Sequence, residues 1–281
     1  MNWPVLTGGA LLLAALAALF YWQLSIAEGV YLGRRVVVWL YNLYAARYDR
    51  VKEFSRQDEA WFLGQPLTRV LQHLPVPLVL DVATGTARLP LALFRQSAFG
   101  GRVVALDLSR RMLRYAAANT AAHRDRLTLL WQSAARLPFP DGVFDAVTCI
   151  EALEFLPDAR ATLSEMVRVL RPGGVLLTSN RTGPHARWLP GRTMSRQDFA
   201  ALLESLALER ARVSSWQVDY DIAWARKPGQ SSAAAPSTLP ALLCCPRCSS
   251  GPLTRQDRAF YCDACAHPYP IADDGVVEMG W

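Results

Sequence analysis

From Pro77 onward the chain alternates short apolar runs with amphipathic stretches, and this alternation restricts the fold more than any other feature. Runs at Leu78–Val82, Arg102–Leu106, Leu127–Trp131, Phe144–Ile150 and Gly174–Thr178 read as buried strands. Thr86–Arg95, Arg110–Ala121 and Ala159–Leu170 read as the helices between them, the last ending at Pro172-Gly173. Strands alternating with helices pair in parallel, because only a long crossover returns the chain in the same direction. Ser195, with Asp198 three residues on, opens a further helix to about Leu206. The closing runs Ala211–Trp216 and Asp219–Arg226 are joined by so little chain that they must be antiparallel. The expected class is α/β with a seven-stranded mixed sheet.

The first strand runs into Asp81-Val-Ala-Thr-Gly-Thr-Ala87, a tight turn that opens a helix. In doubly wound sheets the ligand sits beyond the carboxyl ends of the strands. A glycine in the turn lets backbone approach that ligand closely, and the helix start offers free amide donors. Asp107 closes the second strand, where a carboxylate can accept both hydroxyls of a ribose. Taken singly, Gly85 fits an ordinary turn and Asp107 a helix cap or the ribose ligand of a nicotinamide cofactor.

Both ends of the chain carry a different signal. No side chain from Met1 to Ala27 is charged, and Glu28 is the first that is. Pro4 to Ala27 would reach roughly 36 Å as a helix, enough for a bilayer core of about 30 Å. Trp3, Tyr21 and Trp22 stand near its ends, where aromatic rings favour the interface. A cleaved signal peptide is the rival reading, but no Lys or Arg precedes the run. Arg34 and Arg35 follow it, which favours a single-pass membrane protein with a cytoplasmic body. The formal charge of +6 is spread without a dense basic run, so it suits an anionic membrane surface better than specific DNA binding. At the other end, five of the six cysteines fall between 244 and 265, after a Pro/Gly/Ser/Ala-rich linker. Cys245-Pro-Arg-Cys248 and Cys262-Asp-Ala-Cys265 are two Cys-x-x-Cys turns, and their four thiolates suit a tetrahedral zinc. Cys244 has the poorer spacing, and His267 is read as a bystander.

Four stretches resemble the class I S-adenosylmethionine-dependent methyltransferases, especially the ubiquinone/menaquinone C-methyltransferase type. They are Asp81–Ala87, Leu106-Asp-Leu-Ser109, Arg136-Leu-Pro-Phe-Pro-Asp-Gly-Val-Phe-Asp145 and Arg168-Val-Leu-Arg-Pro-Gly-Gly174, in family order and spacing. The resemblance implies a Rossmann-like sheet of the methyltransferase type. It also implies that Asp81 and the turn Ala83, Thr84, Gly85 and Thr86 hold the methionine end of the cofactor. Asp107 would take the ribose, with Leu108 and Met112 beside the adenine. Gln132-Ser133 replaces the family's frequent Gly-Asp, so the adenine-amine contact at Ser133 is weaker, neutral or absent. Ala83 and Ala87 stand where glycines are usual; Ala87 is expected to take helical dihedrals, and Ala83 is strained if its position needs positive φ. The tail, Leu239 to Met279, resembles the small zinc-ribbon activator of tRNA and protein methyltransferases.

The expected organisation is an anchor over 1–28, a juxtamembrane segment over 29–40, a methyltransferase domain over 41–228, a linker over 229–240 and a zinc ribbon over 241–281. The sulfonium of S-adenosylmethionine is already activated, so positioning can supply most of the acceleration. Where a base is needed, Glu151 and His185 are the candidates, each weighed against a plain solvated residue; Glu154 is read as a solvated carboxylate. Tyr48 is a candidate lid over the cofactor. The leading function is methyl transfer to a lipophilic small molecule, such as a quinone, lipid or pigment precursor, reached from the membrane. The alternatives are a noncatalytic cofactor-binding scaffold, and a methyltransferase for RNA or protein that docks through the ribbon.

Overall fold

The computed structural model describes residues 3–52, 55–230 and 238–280, so the middle of the expected linker lies outside the described residues. Seven strands form the central sheet: β1 (Leu78–Val82), β2 (Arg102–Asp107), β3 (Leu127–Gln132), β4 (Phe144–Cys149), β5 (Leu170–Arg181), β6 (Glu209–Gln217) and β7 (Tyr220–Arg226). Their spatial order is β3-β2-β1-β4-β5-β7-β6, with parallel pairing up to β5 and antiparallel pairing of β5, β7 and β6. Every residue of β1 and β4 is buried, as expected for strands covered by helices on both faces. The order reverses between β1 and β4, so a crevice opens beyond their carboxyl ends.

Helix starts follow the sequence signals closely. Ser109, Asp158 and Ser195 each accept a backbone N–H from three residues on, capping the helices Arg110–Asn119, Ala159–Val169 and Arg196–Ser205. The Arg171-Pro-Gly-Gly174 segment departs from expectation. It does not end a helix outside the sheet; it is the first part of β5, with a register shift against β4. A Cβ on Gly174 would stand 2.7 Å from Leu170 and 3.0 Å from the Asp145 carbonyl, so only glycine fits there. Asp145 fastens the same corner. Its Oδ1 accepts from Arg171 at 2.5 Å and its Oδ2 from the Leu78 amide at 2.7 Å, all of it buried.

The tail does not stand apart from this sheet. Val277–Gly280 lies parallel to β3 and adds an eighth strand at that edge. With β8 (Thr254–Gln256), β9 (Ala259–Tyr261) and β10 (Pro268–Pro270) as a separate antiparallel ribbon, it becomes β11. Leu243, Phe260, Tyr269, Val277 and Met279 belong to the same buried cluster as Leu106, Leu130 and Phe144. Arg110 grips both oxygens of Asp274 at 2.8 and 2.9 Å and Glu278 at 2.9 Å. The other sheet edge, β6, is guarded differently, by exposed polar residues and a register shift at Arg210, whose φ is 55°.

At the N-terminus the helix Trp3–Tyr21 continues through a wider π turn, Trp22–Ile26. Leu6–Ile26 is apolar and none of it is buried; at 1.5 Å per residue it reaches about 31 Å. The juxtamembrane stretch is folded. Arg34–Tyr44 is a helix whose Val37, Val38 and Leu40 are buried against the body.

The corner at Asp145 yields a stability prediction. Asp145→Ala leaves a buried guanidinium unpaired and is expected to cost about 3–5 kcal/mol, measured by urea unfolding of the detergent-solubilised chain. Asp145→Ala combined with Arg171→Met should recover most of that loss. An unchanged midpoint for the single variant would contradict the role given to this pair.

Candidate active site and cysteine cluster

The turn after β1 contains three left-handed residues within five: Ala83 (φ 56°), Gly85 (φ 56°) and Ala87 (φ 69°). The expectation of helical dihedrals at Ala87 is therefore incorrect. The helix starts at Arg88, and Ala87 closes the turn before it by donating its amide to Thr84 O at 3.0 Å. Left-handed backbone costs an L-residue roughly 1–2 kcal/mol, so the surroundings must hold this shape. They do so from two sides. The Gly85 amide donates to Asp107 Oδ2 at 2.8 Å, and the Thr86 hydroxyl donates to Asp49 Oδ1 at 2.6 Å. Asn119 also donates to Asp49 and to the Thr86 carbonyl. Asp49 was not singled out from the sequence, although it follows Tyr48 directly.

A cavity of about 1140 Å³, its open mouth included, lies over this turn. Its wall contains Asp81, Ala83, Thr84, Gly85, Thr86, Asp107, Leu108, Ser133 and Glu151, so these expected residues converge on one space. Met112 does not reach it. The Ser109 cap turns Met112 inward, where it is only 1% exposed beneath the wall. Both oxygens of Asp107 already accept backbone amides, from Gly85 and from Ser109 at 2.7 Å, which fixes the carboxylate at the end of β2. Asp81 is fully enclosed. Burial lifts its pKa to about 6, against the opposing hydrogen bond from the Thr148 hydroxyl at 2.7 Å.

Gln132 adds a feature that sequence reasoning passed over. It is 3% exposed and lines the cavity. Its amide nitrogen lies within 3.4 Å of the Ser133 carbonyl and 3.3 Å of the Arg136 carbonyl, which leaves Oε1 as a buried acceptor with no partner. A buried acceptor without a donor is costly, and a ligand N–H in the cavity would satisfy it. Ser133, by contrast, spends its hydroxyl oxygen on the Ala135 amide at 3.2 Å.

The two catalytic candidates separate. Glu151 lines the cavity with its own φ at 52°, held by a 2.6 Å bond from its amide to Ser179 Oγ. Its carboxylate meets Arg88 at 2.7 Å and Lys52 at 3.9 Å, and Arg88 also bridges to Glu59. Glu151 is buried, not solvated. Glu154 is buried as well: the turn Leu153–Phe155 directs it inward to Tyr220, whose hydroxyl donates at 2.6 Å, and burial raises its pKa. His185 stands away from the cavity wall, 61% exposed and 3.0 Å from Asp219. The short helix Gly183–Ala186 carries it outward.

The cavity has a roof that the sequence did not mark. Val37, Val38 and Tyr41 of the Arg34–Tyr44 helix line it. Tyr41 donates to Glu28 Oε2 at 2.8 Å, and Asn42 Oδ1 accepts from the Ser109 hydroxyl at 2.8 Å. Tyr48 lies over the turn: a Cβ on Gly85 would stand 3.9 Å from its ring.

In the tail, the sulfurs of Cys245, Cys248, Cys262 and Cys265 all lie within 4.8 Å of one another. Cys245–Cys265 and Cys248–Cys262 are 3.6 and 3.4 Å apart. A tetrahedral ion with metal–sulfur bonds of about 2.3 Å needs sulfurs about 3.8 Å apart, so zinc fits. Tyr269 Oη, 2.9 Å from Cys245 Sγ, supplies an outer contact. Cys244 is not part of this cluster; its backbone amide donates to Pro138 O. Cys262→Ser/Cys265→Ser is expected to abolish stoichiometric zinc in elemental analysis and to expose residues 240–281 to protease. A metal-free wild type with a protease-resistant tail would contradict this.

Comparison with known proteins agrees with the geometry. A methyltransferase-domain family model matches residues 80–178. The demethylmenaquinone methyltransferase of Streptomyces avermitilis is 33% identical over 170 residues, covering 60% of this chain and 69% of that protein. The one of Symbiobacterium thermophilum is 35% identical over 157 residues, covering 53% and 61%. The chain thus spans about three fifths of the length of several such relatives. A solved complex of the Haloferax volcanii Trm112 methyltransferase activator with a methyltransferase contains a chain of similar fold. It aligns at TM-score 0.52 and 21% identity over 67% of this chain and 98% of that one. With more than two thirds of the Streptomyces protein covered at this identity, the chain belongs to the class I S-adenosylmethionine-dependent methyltransferases, in the branch that contains the demethylmenaquinone methyltransferases.

Proposed function

We propose that this protein transfers a methyl group from S-adenosylmethionine to a ring carbon of a demethylated quinone of the menaquinone type in its reduced, hydroquinone form, whose electron-rich ring is the nucleophile. The observation that carries the reading is the convergence of Asp81, the left-handed turn, Asp107 and Gln132 on one cavity roofed by apolar helix residues. The relatives' shared name supplies the acceptor class. The cofactor, when bound, supplies an activated methyl group on a positive sulfur. Asp81 sits to receive its cationic methionine end, Asp107 its ribose hydroxyls, and Gln132 Oε1 an adenine N–H.

The chain's own residues then position the acceptor and exclude water. Val37, Val38 and Tyr41 cover the cavity, and Glu151 is the carboxylate on its wall that accepts the ring proton displaced by the new carbon–carbon bond. Arg88 and Lys52 hold Glu151 in place. The Leu6–Ile26 helix is read as a retained single-pass anchor, and Arg34 and Arg35 after it support a cytoplasmic body. The ribbon, with zinc on its four cysteines, serves as an in-chain stabiliser of the β3 edge. Domain limits follow the same reading: anchor to 28, methyltransferase body to about 228, ribbon from 241.

Labelled methyl transfer to membrane-extracted quinone, reduced to the hydroquinone beforehand, is the direct test. Counts that enter RNA or protein and not the quinone fraction would refute the acceptor. Glu151→Gln is expected to lower kcat by about 10²–10⁴ while cofactor affinity by calorimetry stays unchanged.

Cofactor binding should also report Asp81. A carboxyl whose pKa is raised to about 6 is neutral below that pH in the free protein and must ionise to pair with a cation. Affinity is therefore full above about pH 6 and falls as pH drops through it, approaching tenfold per unit for one linked proton. Asp81→Asn should remove one proton from that slope. Asp107→Ala should weaken binding by roughly 1.5–3 kcal/mol per lost charged hydrogen bond at neutral pH.

A further inference from the structure

The helix Arg34–Tyr44 has two apolar faces and only one of them is used. Val37, Val38 and Tyr41 roof the cavity, while Trp39 and Leu43 are 54% and 53% exposed, one turn apart on the opposite side. Exposed aromatic and leucine side chains on one stripe, with exposed Arg35 on the same stripe at the helix start, are the pattern of a helix lying in a bilayer interface.

The fold fixes where that stripe points. The lower end of the Leu6–Ile26 helix is clamped to the body through the loop after β5. Trp22 donates its indole N–H to the Trp188 carbonyl at 3.0 Å and stacks on Tyr31 at 5.2 Å. Tyr31 donates to the Pro190 carbonyl at 2.8 Å, and Arg192 donates to the Val30 carbonyl at 3.1 Å. Ala27, Val30 and Leu189 form a small buried cluster between these bonds. Seven residues separate Ile26 from Arg34, and hydrogen-bonded turns at Gly29, Val30 and Leu32 keep that connection short, so the roof helix follows closely on the end of the apolar helix.

We infer that the outer face of the Arg34–Tyr44 helix docks on an anionic phospholipid surface, with Trp39 and Leu43 at the acyl boundary and Arg35, on the same stripe, at the phosphates. The cavity roof is then the membrane surface itself, and a tailed acceptor passes beneath Val37 and Tyr41 with its tail still in lipid. The inference rests on reading Leu6–Ile26 as a retained span and the acceptor as lipophilic.

The test uses the full chain in vesicles of phosphatidylcholine with phosphatidylglycerol, some carrying bromine on the acyl chains near the headgroup. The emission of Trp39 is read as the difference between wild type and Trp39→Phe. The expected result is quenching of that difference by the brominated lipid and protection from aqueous acrylamide. Vesicle-bound protein whose Trp39 is quenched only by acrylamide would overturn the inference and leave the span intact; protein that does not float with the vesicles would overturn both. Trp39→Ser/Leu43→Ser is a second arm. It should raise KM about tenfold for a long-tailed demethylated quinone in vesicles and leave KM for the short-tailed ring in solution unchanged. Equal KM shifts for both tails would count against interfacial docking. Absence of transfer to either quinone would count against the acceptor, with the Trp39 measurement still deciding the docking.

Discussion

The hydrogen bond from the Gly85 amide to Asp107 ties the end of the first strand to the end of the second, and the site is arranged around it. Three left-handed residues in one turn are unfavourable, and two of them are alanines that gain nothing from the conformation. The turn keeps its shape because Asp107 holds it from the sheet and Asp49 holds it from the N-terminal segment. That second contact means the residues before β1 are part of the cavity, not a lead-in to the domain. The same logic applies at Ser109, which caps one helix and is also bonded to Asn42 of the roof. Sheet, turn and roof are thus one cooperative unit.

The parts legible in the sequence are those fixed by local periodicity. β1 and β3 begin and end within a residue of the apolar runs, and the Ser195 helix starts where its cap predicts. The cysteine cluster was legible because Cys-x-x-Cys spacing dictates which sulfurs meet. What was missed depends on partners far along the chain. Glu151 and Glu154 look like solvated loop carboxylates until Arg88, more than sixty residues earlier, and Tyr220, more than sixty later, are brought beside them. Met112 was misplaced because a resemblance gives the residue's neighbourhood and not the rotation of its helix. The roof helix was illegible because apolar residues surround it, so no single face stands out. The donation of β11 to β3 was hidden for the reason that an edge strand of four residues has almost no pattern of its own.

The two edges of the sheet show why a tail of about forty residues is found folded on this domain. β6 needs no cover, since its outward residues are polar and a shift at Arg210 spoils further pairing. β3 has no such protection: four of its six residues are apolar, and it pairs β2 on one side only within the body. β11 satisfies the free side with main-chain bonds, and Arg110 clamps it through Asp274 and Glu278. The ribbon is too small to bury a core alone, yet Phe260 and Tyr269 are 1% exposed because they join the sheet's own cluster. Each unit therefore covers what the other leaves open.

This arrangement also constrains how the cavity can admit a large acceptor. The β3 side is closed by the ribbon, and the turn after β1 is locked by two carboxylates, so neither can swing away without breaking the sheet edge or the turn. The roof helix is joined to the body differently, by side-chain hydrogen bonds at Tyr41 and Asn42 and by the packing of Val37, Val38 and Leu40. Moving it as a body leaves the β11 pairing and the Arg88 ion pairs in place, and the cost is set mainly by re-exposing those apolar side chains, roughly 1.5–3 kcal/mol each. This helix is also the element joined to the apolar N-terminal helix. The side of the cavity nearest that helix is therefore the one lined by Val37, Val38 and Tyr41, and the chemistry of this roof bears on which molecules can pass.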